Sequence, residues 1–219
     1  MPRTRAFTLL ELLTAFAIIA MLAALLLMAL GRAKESAHAA YCLHNLRQWG
    51  VATQLYVADH HDFLPPDGKS APLDNDTTSG WYIQLPEAMG LPRYHDMPWR
   101  KDPAVDPGPS VWICPSNLRR SNGHNLFHYC LNEHVNGTGV NNRPVQISTI
   151  RQPAETVWLF DNGGLAAVAQ QNNVHTNLHN QGAQFVFLDA HAARFSNRAY
   201  WDFAARKGRT DNSNLIWIP

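Results

Sequence analysis

Side chains able to bind a metal ion are concentrated near the C-terminal end of the sequence. His175, His179, Asp189 and His191 lie within one short window. Imidazole nitrogens and carboxylate oxygens are ligands for Zn²⁺ and other divalent ions. Asp189 and His191, two residues apart, would project from the same side of one strand. We therefore treat His179, Asp189 and His191 as a candidate metal site, with exposed or hydrogen-bonded histidines as the alternative.

Catalytic patterns are absent from the sequence. Cys114 and His128 could be combined as a nucleophile and a base, but no nucleophile elbow, phosphate-binding loop or dinucleotide fingerprint accompanies them. HExxH and repeated CxxC patterns are also missing. We predict that the protein is not an enzyme and requires no cofactor.

The three cysteines allow one disulfide bond in an oxidising compartment but no disulfide framework. Cys114 and Cys130 both lie in the loop-rich C-terminal part, whereas Cys42 lies on a predicted helix. A Cys114–Cys130 bond is the favoured pairing, and three free or buried thiols are the open alternative.

A single carboxylate, Glu11, lies inside the apolar run of residues 7–30. A charged side chain in a bilayer costs a few kcal/mol on insertion scales, so such residues usually have a function. At 1.5 Å per residue the run is long enough to cross a bilayer as a helix. Arg3 and Arg5 precede it and favour a cytoplasmic N-terminus, although basic residues also follow it. We predict a transmembrane helix over 7–30.

The same helix is predicted to continue beyond the apolar run, because no proline occurs between Phe7 and Asp62, just before "FLPPDG". Apolar side chains recur at spacings of three and four residues between 31 and 62, which is typical of one buried helix face. These are Cys42, Leu46, Trp49, Thr53 and Tyr56. Residues 31–62 are therefore predicted to be the soluble half of the helix, packed on a sheet.

Residues 63–219 contain strand-like segments without alternating helices, which predicts an antiparallel sheet and an α+β head. The segments are "SVWICPSN", "NLFHYCLNEHV", "ETVWLFDNGG", "AQFVFLDAHAARF" and "NLIWIP". Alternation in the second of these predicts a half-buried strand. Residues 68–109 are predicted to be an ordered loop with buried aromatic side chains. The net charge of +1 and the scattered basic residues exclude a nucleic-acid partner.

The N-terminal segment "RAFTLLELLTAFAIIAMLAAL" resembles the cleavage and methylation segment of type IV prepilins and type II secretion pseudopilins. In this resemblance residues 1–6 are the leader peptide, and Ala6 replaces the usual glycine before the cut. Phe7 becomes the methylated N-terminal residue. Glu11 matches the family glutamate, which implies an assembly contact between its carboxylate and the Phe7 amine of a neighbouring subunit.

A second segment, "NLHNQGAQFVFLDAHAARF", is similar to the C-terminal motif of pilin-like proteins that consists of His, nine residues and Asp-Gly. His179 and Asp189 keep that spacing, and Ala190 replaces the glycine. Asp189 would accept backbone N–H groups in a turn, and the usual glycine would provide a positive φ. The alanine therefore predicts a different or mildly strained turn.

Together the two resemblances imply a type IV pilin-like fold and a structural subunit of a type II secretion or type IV pilus-type system. The implied partners are prepilin peptidase, other pilin-like subunits, the inner-membrane assembly machinery and the lipid bilayer. The expected location is the bacterial inner membrane, with a single span, a periplasmic head and assembly into a filament.

Secretion pseudopilins of this shape often carry a Ca²⁺-stabilised loop, and Asp161, Asn162 and Asp189 offer suitable oxygen ligands. A Ca²⁺ site on these residues is the second metal hypothesis. The alternative function is a membrane-anchored surface protein that binds a ligand or a metal through the region of His175, His179, Asp189 and His191.

Overall fold

The computed structural model describes residues 8–68, 80–100, 102–121, 125–135 and 145–219. The predicted leader and Phe7 lie outside these residues. The chain divides into two units, Met1–Ala37 and His38–Pro219. This boundary falls inside the predicted soluble half of the long helix, and the division into leader, membrane helix, soluble helix and head stays a prediction.

The α-helices of the described residues are α1 (Leu9–Asp59), α2 (Trp81–Ala88) and α3 (Asn197–Tyr200). The strands are β1 (Tyr129–Asn132), β2 (Val157–Asp161), β3 (Val168–Ala169), β4 (Gly182–Phe187), β5 (Ala192–Ser196), β6 (Trp201–Asp202) and β7 (Lys207–Gly208). Short 3-10 turns cover Tyr94–Asp96, Pro98–Arg100, Ile147–Thr149 and Gln171–Asn173.

The part of α1 that belongs to the first unit is exposed and, up to Leu30, almost entirely apolar. Every residue from 8 to 37 is exposed, including large side chains such as Leu10, Phe16 and Leu26. By length and composition α1 could cross a membrane, and within the described residues it is the single helix that meets both criteria. An apolar surface of this extent requires lipid or protein around it.

The part of α1 that belongs to the second unit has one buried face. The five stripe positions predicted from the sequence, Cys42, Leu46, Trp49, Thr53 and Tyr56, are all buried. Polar contacts fix this face to the sheet: the Trp158 indole donates to Thr53 Oγ1 at 2.8 Å, and Gln54 donates to the carbonyl oxygen of Leu188. The predicted amphipathic helix packed on a sheet is confirmed.

The described strands form a five-stranded sheet in the order β3-β1-β2-β4-β5 and a two-stranded ribbon of β6 and β7. Pairs β1–β2, β2–β4 and β4–β5 are antiparallel, as predicted. The short β3 pairs with β1 in parallel, so the sheet is mixed at that edge. The observed class is α+β, with a long N-terminal helix and a C-terminal sheet.

Both faces of the central strands are buried, whereas the sequence predicted a half-buried strand in "NLFHYCLNEHV". Tyr129 and Leu131 of β1 belong to the core beneath α1. Cys130 points into a second core that contains Tyr200 and Trp217 of the C-terminal segment. Successive side chains of β1 therefore point alternately into the two cores. The face that was expected to meet water is covered by the C-terminal segment.

Two further predictions about the second unit were wrong. "SVWICPSN" forms turns, because its carbonyl groups accept hydrogen bonds from side chains of α1. Asn45 donates to Ser110 and Ile113, and Trp49 donates to Val111. The region predicted as loop contains α2, although its aromatic side chains are buried as expected.

Gly50 sets the distance between α1 and the β4–β5 hairpin. A Cβ atom at this position would lie 2.8 Å from Val186 Cγ2 and 2.9 Å from Ala190 Cα. Contacts this short are not tolerated in packed interiors, so the hairpin can approach α1 only where the side chain is missing.

Candidate functional site

The first candidate site is the start of α1, where Thr8 and Glu11 form a capping box. Thr8 N–H donates to Glu11 Oε2 at 2.9 Å, and Glu11 N–H donates to Thr8 Oγ1 at 3.2 Å. The Thr8 hydroxyl also donates to Glu11 Oε2 at 2.8 Å. These bonds satisfy two backbone N–H groups that a helix start otherwise leaves unpaired.

This contact gives Glu11 a local role that the sequence analysis missed, although the Thr-x-x-Glu signal was readable at residues 8–11. The carboxylate is exposed and turned back towards the helix start. Ala6 and Phe7, the predicted processing site, lie outside the described residues. The assembly contact between Glu11 and Phe7 stays a prediction.

The second candidate site is a buried pair formed by His179 and Asp161, which we call the inner pair. His179 Nε2 lies 3.2 Å from Asp161 Oδ2, and both side chains are fully buried. Asp161 ends β2, and its Oδ2 also accepts the backbone N–H of Gln184 in β4 at 2.7 Å. His179 lies in the turn before β4, where its carbonyl oxygen accepts a hydrogen bond from Arg194.

A disulfide bond lies directly beside the inner pair, and it corrects the predicted pairing of Cys114 with Cys130. Cys42 on α1 is bonded to Cys114, and Cys130 is a free, buried thiol in β1. The reason is the packing of the "SVWICPSN" turns on α1, which brings Cys114 to the buried helix face. His179 Nε2 lies 3.5 Å from Cys114 Sγ.

The outer pair, Asp189 and His191, occupies the tight turn between β4 and β5. Asp189 Oδ1 accepts the backbone N–H of His191 at 3.0 Å and lies 2.6 Å from His191 Nδ1. The expected turn-forming role of Asp189 is therefore observed. Ala190, which stands where the motif has glycine, has a φ of +71°. A left-handed conformation of this kind strains a residue with a Cβ atom.

The structure does not bring together His179, Asp189 and His191, the predicted metal site. His179 precedes β4 and Asp189 follows it, so a strand of six residues separates them. At about 3.3 Å per residue this amounts to roughly 20 Å. Among the described residues, the cluster with suitable ligand atoms is instead Cys42, Cys114 and His179.

The three residues of the Ca²⁺ hypothesis do not form one ligand set either. The Asp161 carboxylate belongs to the inner pair, and Asp189 lies at the opposite end of β4. The side-chain amide of Asn162 already makes hydrogen bonds within the protein. Its NH₂ group donates to the carbonyl oxygens of Phe127 and Ala166, and its oxygen accepts the backbone N–H of Gly164. Their positions therefore do not support a Ca²⁺ site.

Two further histidines lie near the inner pair in structural roles. His128 accepts the backbone N–H of Cys114 through Nδ1, which leaves Nε2–H to donate to the carbonyl oxygen of Arg119. Burial lowers the pKa of His128 to about 4, so the ring is neutral near pH 7. Burial also lowers the pKa of His175. His128 therefore contacts the backbone of Cys114 and not a free thiol, because the Cys114 sulfur is bonded to Cys42.

Comparison with known proteins identifies the N-terminal segment. Residues 1–27 match the protein family described as the prokaryotic N-terminal methylation motif. No curated protein and no solved structure matches the chain. The match covers the predicted leader, Phe7, Glu11 and the beginning of the exposed part of α1. The chain thus combines a prepilin-type N-terminal motif with the α+β organisation of a type IV pilin-like protein.

Proposed function

We propose that this protein is a structural pilin-like subunit of a type II secretion or type IV pilus-type system. It is made as a prepilin, cleaved after Ala6 by prepilin peptidase and methylated on Phe7. It is held in the bacterial inner membrane by residues 7–30, with a periplasmic head. The observation that carries this proposal is the methylation motif of residues 1–27 at the start of a helix with an exposed apolar surface.

The exposed part of α1 supports an assembly role as well as an anchoring role. A plain anchor needs about 20 apolar residues and gains nothing from a carboxylate among them. Glu11 lies in the first turn of the described helix, on its exposed surface. In a filament, lipid is replaced by helices of neighbouring subunits, and an amine beside Glu11 offsets the cost of burying its charge.

The capping box makes the proposed role of Glu11 testable, because capping and charge pairing require different atoms. Capping needs an oxygen that accepts the Thr8 N–H, which glutamine also provides. Pairing with an amine needs the negative charge. In the proposal, the carboxylate first caps its own helix and then also contacts the Phe7 amine of the next subunit.

Processing is tested on the protein extracted from membranes of cells with active prepilin peptidase. We expect mass spectrometry to find a chain that begins at Phe7 and carries one methyl group. An intact Met1 N-terminus in those cells would overturn the proposal. A peptidase-deficient strain is the control, and there the uncut chain is expected.

Assembly is tested with three variants, measured as cross-linked oligomers or filaments recovered from membranes. Glu11→Gln keeps the cap and removes the charge, whereas Thr8→Val removes the cap hydroxyl and keeps the charge. Loss of one partner of a buried ion pair costs about 3–5 kcal/mol, so we expect Glu11→Gln and Glu11→Val to reduce assembly by roughly 100-fold or more. Thr8→Val should assemble almost normally.

All three variants should insert into the membrane, and Glu11→Val most readily, since it removes a charge from the span. Normal assembly of Glu11→Gln would reject charge pairing and leave capping as the role of Glu11. Defective assembly of Thr8→Val alone would lead to the same conclusion.

A further inference from the structure

Three potential ligand atoms for a soft cation converge beside the inner pair. The sulfur atoms of Cys42 and Cys114 and a ring nitrogen of His179 all lie within 4.8 Å of one another, and all three residues are buried. Thiolate and imidazole are the ligands of structural Zn²⁺ sites. In the oxidised chain the two sulfur atoms are joined to each other. The cluster could therefore hold a cation only after reduction.

The spacing of these atoms fits a tetrahedral Zn²⁺ site. With Zn–S bonds of about 2.3 Å and Zn–N bonds of about 2.0–2.1 Å, a sulfur and a nitrogen on one zinc ion lie roughly 3.5 Å apart. The observed distance from Cys114 Sγ to His179 Nε2 is 3.5 Å. Two sulfur ligands on one zinc ion lie about 3.8 Å apart, close to the contact distance of two non-bonded sulfurs. Reduction alone thus moves the sulfurs towards the required separation.

A fourth ligand is available in Asp161. Its Oδ2 lies 3.2 Å from His179 Nε2, near the roughly 3.4 Å expected for nitrogen and oxygen on one zinc ion. Asp161 does not belong to the group of three residues whose ligand atoms lie within 4.8 Å of one another, so its side chain must rotate towards the cation to bind it. Its Oδ1 is buried and, among the described residues, has no hydrogen-bond partner, as is also true of His179 Nδ1. Buried polar atoms without a partner require an explanation such as an ion.

We propose that Cys42, Cys114 and His179, with Asp161 as the fourth ligand, form a Zn²⁺ site in the reduced chain, and that the disulfide and the Zn²⁺-bound form are alternatives. A dithiol reductant supplies two electrons and two protons, which break the S–S bond and give two thiols. Zn²⁺ then displaces both thiol protons to the solvent and binds the unprotonated Nε2 of a neutral His179 ring, whose proton lies on Nδ1. The two thiolates cancel the charge of the cation, so the buried core gains no net charge.

Burial also determines when the cation enters. The cluster is closed in the folded protein, and cation binding by such sites is coupled to folding. Zn²⁺ is therefore acquired while the reduced chain folds, and formation of the disulfide excludes it. This inference concerns the second unit and does not depend on filament assembly, so each can fail without the other.

The test uses the full-length chain in detergent, unfolded in urea with a phosphine reductant and refolded with or without Zn²⁺. We expect one zinc ion per reduced chain, measured by elemental analysis after desalting, and none in the oxidised chain. His179→Asn should lower the affinity for Zn²⁺ by about 100-fold, and Asp161→Asn by about 10-fold. Cys130→Ala and His191→Asn are matched controls, and both should bind as the unsubstituted chain does.

A second measurement needs no substitution. X-ray absorption of the zinc-loaded chain should show two sulfur neighbours at about 2.3 Å and two nitrogen or oxygen neighbours at about 2.0–2.1 Å. Zinc held by nitrogen and oxygen alone, or equal affinity in His179→Asn, would overturn the proposal. So would a reduced chain that binds no zinc, whether or not its tryptophan fluorescence shows the native fold.

Discussion

Two pairs of histidine and aspartate flank β4, and they differ in almost every physical respect except residue type. The inner pair joins residues 18 positions apart, and both of its side chains are 0% exposed. The outer pair joins residues two positions apart, with side chains 46% and 36% exposed. The outer contact is shorter, at 2.6 Å against 3.2 Å. Burial rather than distance decides which pair matters for stability, since water screens the outer one.

The backbone is also more strained at the buried end of β4 than at the exposed end. His179, Asn180 and Gln181 all have positive φ values before β4, whereas the turn after β4 has Ala190 alone. Such conformations persist only when surrounding contacts enforce them. Before β4 these contacts are Asp161 and Arg194, which hold His179 through its ring and its carbonyl group.

The largest expected effect is the difference in stability lost when each of the two aspartates, Asp161 and Asp189, is replaced by alanine. Asp161→Ala leaves the Gln184 N–H and His179 without their buried partner and should lower the free energy of unfolding by about 4 kcal/mol. Asp189→Ala should cost less than about 1 kcal/mol, because its pair is exposed. Urea unfolding followed by tryptophan fluorescence at neutral pH measures both. Similar losses in the two variants would reject burial as the deciding difference.

The next effect concerns the disulfide beside the inner pair, with chelator present to exclude metal ions. The bond joins residues 72 positions apart. Its removal by a Cys42→Ala, Cys114→Ala double substitution should cost about 3 kcal/mol, the middle of the range typical of disulfide bonds. Amide exchange should accelerate more at Gln184, near the inner pair, than at His191. Cys130→Ala is the control for loss of a buried sulfur. Equal acceleration at both ends of β4 would contradict a local role for the disulfide.

A third effect is pH dependence from the buried His128. Its folded pKa of about 4 lies below the usual 6.5, so between these values the unfolded chain binds more protons than the folded chain. This contribution to stability is complete above about pH 6.5 and is lost as the pH falls towards 4, by at most about 3 kcal/mol. His128→Asn should flatten the curve of stability against pH.

The smallest effect is expected from relieving backbone strain in the turn that contains the outer pair. Ala190→Gly removes the Cβ strain at a φ of +71° and should stabilise the protein by about 0.5–1 kcal/mol. Ala193→Gly in β5 is the matched control and should destabilise by a similar amount, because glycine loses more conformational entropy in a strand. Thermal unfolding distinguishes the two, and destabilisation by both would show that the Ala190 turn is not strained.

Much of the fold followed from local patterns in the sequence. The apolar run, the absence of proline between Phe7 and Asp62 and the stripe from Cys42 to Tyr56 predicted α1 and its buried face. Period-two alternation located β1, and the strand-like segments "ETVWLFDNGG" and "AQFVFLDAHAARF" located β2, β4 and β5. These features depend on neighbours three or four residues away in a helix, or two away in a strand.

The parts that were missed depend on contacts between distant residues. The Cys42–Cys114 bond, the Asp161–His179 pair and the cover of the C-terminal segment over β1 join residues far apart in the sequence. Pairing the cysteines by their predicted region failed, because the turns around Cys114 pack on the same helix face that carries Cys42. The capping box was the exception: its signal was local and was overlooked.

The position of Gly50 relative to Cys42 in the segment "CLHNLRQWG" fixes which parts of the second unit can pack on α1. Within these nine residues of α1, Cys42 bonds to Cys114, Asn45 and Trp49 donate hydrogen bonds to the turns before Cys114, and Gly50 leaves room for the β4–β5 hairpin. A single added methyl group at position 50 would push away the hairpin that follows the inner pair. We therefore expect that proteins sharing this architecture can be identified by a cysteine and a glycine eight positions apart on the first helix, even where strand sequences have diverged.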